Sequence, residues 1–155
     1  MSPATVKYIL WAGAVVLLQL LIFRHLRFFG AEPDLTLAFL VWVMAYSDRT
    51  TAIMLGGGMG FILDIFLDQW GINMIAKVAV AFLAYRFVPK VTETKLVISQ
   101  VFVVLLLVSL FHNLIFLGVA FFAQSRVDLI FWNFLIGNAL FTSIVASFIY
   151  LFKSN

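Results

Sequence analysis

Leu55-Gly56-Gly57-Gly58-Met59-Gly60-Phe61-Ile62-Leu63-Asp64-Ile65-Phe66-Leu67-Asp68 is a hydrophobic run that carries four glycines and ends in two acids. Gly56, Gly60, Asp64 and Asp68 recur at every fourth position. On a helix that spacing aligns them along one slowly drifting face. Gly56-x-x-x-Gly60 is the small-x-x-x-small pattern that lets two helix backbones approach closely in lipid. Asp64 continues the face into an apolar segment. A carboxylate costs on the order of 3 kcal/mol there, so it is expected to point into the protein and away from lipid.

Working outward, 65% of the 155 residues are apolar and 11% are charged. A soluble domain carries about 25% charged residues. A core of this size cannot hide so much apolar surface, so the bilayer is the expected solvent. One domain, residues 1–155, is expected, with no appended soluble module. The absence of cysteine excludes disulfides, Cys-ligated metal and a thiol nucleophile. His25 and His112 have no metal-ligand spacing around them, so no metal and no cofactor is expected. The net charge of +3 is spread over loops and is not a nucleic-acid footprint.

The pattern predicts an all-α bundle of six transmembrane helices, at about 6–23, 35–46, 50–67, 72–88, 96–122 and 129–152. Lys7 before the first apolar run resembles a signal peptide. No small-x-small cleavage site follows, and Arg24-His25-Leu26-Arg27 reads as a helix end, so an uncleaved span is expected. Arg24 to Asp34 reads as a polar loop closed by Glu32-Pro33-Asp34, with Pro and an acid suited to a helix start. The second span is short against the roughly 20 residues of a full crossing and is expected to be partly shielded by protein. Pro89 ends the fourth. Gln124 to Asp128 forms the last break. Inner segments would hold Lys7, Arg49, Arg86, Lys90, Lys95 and Lys153, and outer loops Arg24, Arg27 and Arg126: six against three, which places both termini in the cytoplasm.

Asp64 and Lys77 fall at similar depths in spans three and four, which suggests a buried pair. It would serve either as a substrate, ion or partner site or as an internal lock on helix packing. The glycines suit close packing, with an unwound cavity-lining helix as the alternative. They are not a nucleotide loop, because no Lys-Ser/Thr follows. His112, Asn113, Asn133 and Asn138 suit interhelical hydrogen bonds. No catalytic constellation stands in a coherent context, so an enzyme is not expected.

The chain resembles the MreD family of rod shape-determining membrane proteins. The resemblance lies in Pro33-Asp34 opening a short span, Ser47-Asp48-Arg49 turning it, and Gly56 to Gly60 running into Phe61-Ile62-Leu63-Asp64. Gly71 then follows, with Tyr85 near the end of the next span. Phe131-Trp132-Asn133-Phe134-Leu135-Ile136-Gly137-Asn138 resembles the family's last span. Asp68-Gln69-Trp70 departs from the small or glycine-bearing turn expected there. The resemblance implies a non-enzymatic scaffold of the bacterial elongation machinery (the elongasome) in the inner membrane. It would control cell shape and lateral peptidoglycan synthesis. Its implied partners are an MreC-type single-span protein, an MreB-type actin homologue, a RodA-type polymerase with its transpeptidase, and membrane lipid, with no nucleic acid. Gly56, Gly60, Asp64, Asp68 and Lys77 would form the partner or pocket surface. The architecture is also similar to the substrate-binding subunits of energy-coupling-factor transporters, which makes a small-molecule-binding subunit the alternative. A lipid-binding or flippase-like module is a third reading.

Overall fold

Eleven of the twelve residues of α2, Leu35–Tyr46, are apolar and cover every side, with Thr36 the exception, and a helix of that kind belongs inside a protein. In the computed structural model α2 lies at the centre and touches every other helix. Around it stand α1 (Pro3–Leu21), α3 (Arg49–Leu67), α4 (Ile72–Leu83), α5 (Ile98–Phe122) and α6 (Asn138–Ser154). The structure describes residues 3–90, 97–123 and 131–154. The expected cations Lys95 and Arg126, the break at 124–128 and the expected start of the last span at Leu129 lie outside them. Every named element among the described residues is helical.

Four stretches are long and apolar enough to cross a membrane: Thr5–His25, Arg49–Leu67, Ile98–Phe122 and Asn133–Leu151. The other two expected spans are short. At 1.5 Å per residue, the 12 residues of α2 and of α4 reach about 18 Å, against a hydrocarbon core of roughly 30 Å. The fourth expected span, 72–88, is helical only to Leu83. Turns continue to Phe87, and Tyr85 there donates its hydroxyl to the Ser47 carbonyl. Ladders of Leu37, Leu40, Val43 and Met44 from α2, with Ala52 and Met59 from α3 and Val80 and Ala81 from α4, make the core.

The segment between α1 and α2 differs from expectation. It is not an outer loop alone. A short 3-10 turn, Phe23–His25, ends the α1 rod, and Phe28 and Ala31 then close a tight turn with two mutual backbone hydrogen bonds. Phe29 and Gly30 take φ of 51° and 82°, the left-handed pair such a turn requires. The chain then runs inward, burying Ala31 and Pro33. Asp34 N–H donates to Thr142 Oγ1 at 2.9 Å. Thr142 lies 11 residues beyond Phe131, the first described residue of the last helical stretch, about 16 Å by helix rise. So α2 begins part-way down the bundle, and its short length follows from that.

Candidate functional site

Non-helical backbone packed between helices must have its polar groups satisfied by protein. Here α1 and α6 supply the partners. Gln19 of α1 donates from Nε2 to the Pro33 carbonyl and accepts from Leu35 N–H, at 3.0 and 2.7 Å. Asn138 Oδ1 accepts from Glu32 N–H at 2.8 Å, and Asn133 Nδ2 donates to the Phe29 carbonyl at 3.0 Å. Asn133 and Asn138 therefore hold the inserted segment to the last helix.

Asp34 sits at the inner end of that segment. Its Oδ1 accepts from Leu37 N–H at 2.8 Å and Thr36 Oγ1 at 2.6 Å, which caps α2. Its Oδ2 accepts from Lys77 Nζ at 2.8 Å. The Lys77 side chain is 0% exposed and that of Asp34 23%. A buried ammonium is tolerable only with such a partner. The expected Asp64–Lys77 pair is thus not formed: Lys77 reaches across to α2.

Asp64 has another task. Gly71 precedes α4 with φ 88° and has no side chain to cap the helix. Asp64, from the last turn of α3, accepts from the N–H groups of Asn73 and Met74, both at 2.9 Å. One carboxylate thus fills the orphan donors of a neighbouring helix start, where the dipole also favours an anion. The glycine face brings the two helices close enough. A Cβ on Gly60 would stand 2.5 Å from Met74 Cα, and one on Gly56 3.3 Å from the Lys77 carbonyl oxygen. Gly56 and Gly60 therefore face α4 and lie inside the protein, not on a surface open to a partner. Asp68 ends α3 with φ 54° and is exposed at the turn, beside the almost bare Trp70.

His112 and Asn113 lie one residue apart in α5 and are both buried. Asn113 Nδ2 donates to the carbonyls of Phe134 and Leu135 at 3.1 and 3.2 Å. Those residues belong to a π turn, Asn133–Gly137, in which wider winding displaces carbonyls from the helical ladder. His112 Nδ1 is 3.3 Å from Asn113 Oδ1, while Nε2 has no hydrogen-bond partner among the described residues.

The structure therefore gathers Asp34, Lys77, Gln19, Thr142 and Asn138 into one part-buried polar network around the start of α2. It leaves Asp64 in a separate cap. Sequence reading missed Gln19 and Thr142 and gave Asp34 only a helix-start role. Two signals were present: a lone Gln in an apolar run, and a second span too short to cross. Comparisons with protein-family models, with curated proteins and with solved structures returned no match.

Proposed function

We propose that this chain is a non-enzymatic scaffold of the bacterial cytoplasmic membrane, MreD-like, with both termini cytoplasmic. It binds an MreC-type single-span protein and thereby supports lateral peptidoglycan synthesis and cell shape. The sequence resemblance supports this reading, and so does the use of Asp34, Asp64 and Lys77 to fix the bundle.

The observation that carries it is on the outward side of α3. Met54, Gly58, Phe61 and Ile65 form one stripe at helical spacing, and all four are exposed. A Cβ on Gly58 would meet nothing within 4 Å. This glycine serves no packing inside the chain. It leaves a notch between two large apolar side chains, the surface a single partner helix needs for close approach in lipid. The partner face is thus assigned to the outward stripe of α3 and the exposed turn at Asp68 and Trp70.

The test is a mild-detergent pull-down of the tagged protein from its own membranes, read by mass spectrometry. Recovery of a single-span MreC-type protein, lost in Gly58→Leu, supports the reading. Recovery of paired ATPases with a transmembrane coupling subunit overturns it in favour of a transporter's binding subunit.

A further inference from the structure

We propose that the cleft over α2 holds one acyl chain of an anionic phospholipid, drawn from the leaflet at the end of the bundle where α1 begins. This does not depend on the scaffold reading.

The cleft follows from how the helices pair. α1 packs on α2 and α3, whereas α5 and α6 pack on one another and reach α2 from the other side. Between them Ala38, Phe39 and Trp42 of α2 stay only half-buried. The resulting cavity is about 500 Å³ and is lined by α1, α2, α5, α6 and the Val88–Pro89 turn. That volume lies within the roughly 300–1,000 Å³ of ligand sites.

Its floor is a ridge of aromatic rings on α2. Phe39 and Trp42 stand 5.5 Å apart and Trp42 and Tyr46 5.2 Å apart, with Tyr8 of α1 edge-on to Trp42 at 5.7 Å. Across from them, Val104 and Leu105 of α5 close the apolar wall.

Shape decides the occupant. The cleft runs the length of α2, from Leu35 to Tyr46, about 17 Å by helix rise. Half of a roughly 30 Å hydrocarbon core is about 15 Å, the reach of one leaflet's acyl chain.

Charge sets the headgroup. Among the described residues Lys7 is the only charged one lining the cleft, and it is exposed. The same end of the bundle carries Arg49, Arg86 and Lys90 against Asp48 among the described residues. An exposed cation at the rim of an apolar slot fits a lipid with a negatively charged headgroup. Trp11, half-exposed one turn from Lys7, suits the same interfacial level.

The experiment uses the full chain in phosphatidylcholine vesicles. Small amounts of phosphatidylglycerol or phosphatidylcholine carry a diazirine in the acyl chain, and labelled residues are mapped by mass spectrometry. Labelling should concentrate on Phe39, Trp42 and Val104. It should favour phosphatidylglycerol about fivefold, and Lys7→Gln should bring that preference close to one. Ala38→Leu, which narrows the cleft, should lower labelling at Val104 several-fold while labelling of the lipid-facing Leu10 and Met54 stays constant. If Ala38→Leu does not fold, the Lys7→Gln arm decides. Labelling confined to outward residues overturns the proposal, and so does equal labelling by the two lipids. A small organic molecule co-purifying in the cleft in place of lipid does likewise.

Discussion

α2 and α4 are both 12 residues long and both half-buried or more, yet they begin in opposite ways. α2 carries its own cap: Asp34 folds back onto Leu37 N–H. α4 borrows one, since Gly71 has no side chain and Asp64 arrives from the preceding helix. Asp34 additionally neutralises a fully buried lysine, whereas Asp64 serves only backbone donors. The difference teaches that an acid in an apolar helix is defined by the vacancies around it. The same carboxylate closes an ion pair in one place and finishes a helix in another.

The comparison makes Asp34 the costlier acid to lose. Asp34→Ala strands the Lys77 charge in the core, and a loss of roughly 3–5 kcal/mol is expected in reversible unfolding in detergent. The double variant Asp34→Asn, Lys77→Met should regain at least half of that, because no charge is left stranded. If Asp34→Ala cost no more than Asp64→Ala, the contrast between the two helix starts would collapse.

Gly60→Ala should come next, at about 1–3 kcal/mol, because the new methyl group meets the backbone of α4. Gly58→Ala, two residues away in open space, should be neutral or gain up to about 1 kcal/mol from helix propensity. Thermal melts of the pair would show whether the close approach that lets Asp64 reach α4 depends on Gly60.

Asp64→Ala should then cost about 1–2 kcal/mol, the scale of a lost helix cap. Faster hydrogen exchange should be confined to the amides of Asn73 and Met74. Exchange spreading into α2 would mean that the two starts are coupled.

The smallest effect is at the third capping acid, Asp48. Hydrogen bonds from the Thr51 hydroxyl and N–H hold its carboxyl below the usual value near 3.8. A lowered folded-state value means the cap contributes fully above pH about 3.8 and fades as pH falls through the folded value. Asp48→Asn should flatten the acid side of the stability profile by a few tenths of a kcal/mol, since the site is exposed.

Much of the architecture was legible. The long apolar runs became long helices, and the i, i+4 spacing of Gly56, Gly60 and Asp64 did place them on one inward face. What sequence could not show is who receives each side chain. Asp64 and Lys77 match in depth, and depth alone pairs them. The depth match could not reveal that α4 begins without a cap of its own, nor that Asp34 is carried down beside Lys77. That descent depends on Gln19, Asn138 and Thr142, which stand 14 to 108 residues from the backbone groups they satisfy. Local patterns carry no trace of contacts so remote. Beyond the end of α4 at Leu83 the chain is likewise tied to remote backbone, Tyr85 donating its hydroxyl to the Ser47 carbonyl and Lys90 its ammonium to the Met44 carbonyl.

The π turn at Asn133–Gly137 sets an angular phase for the whole last helix. Such a turn holds one residue more than the same length of α-helix, and each residue advances the helix by about 100°. Winding the same residues as regular α-helix would turn Phe131 to Asn133 by about that angle relative to Asn138 and Thr142. Asn133 could then no longer face Phe29 while Asn138 faces Glu32. The wide turn absorbs the extra residue and so keeps both Asn133 and Asn138 on the inserted segment. A one-residue deletion between Phe134 and Gly137 leaves the flanks in phase and should therefore be better tolerated than a one-residue deletion within α6, which turns one flank by about 100°.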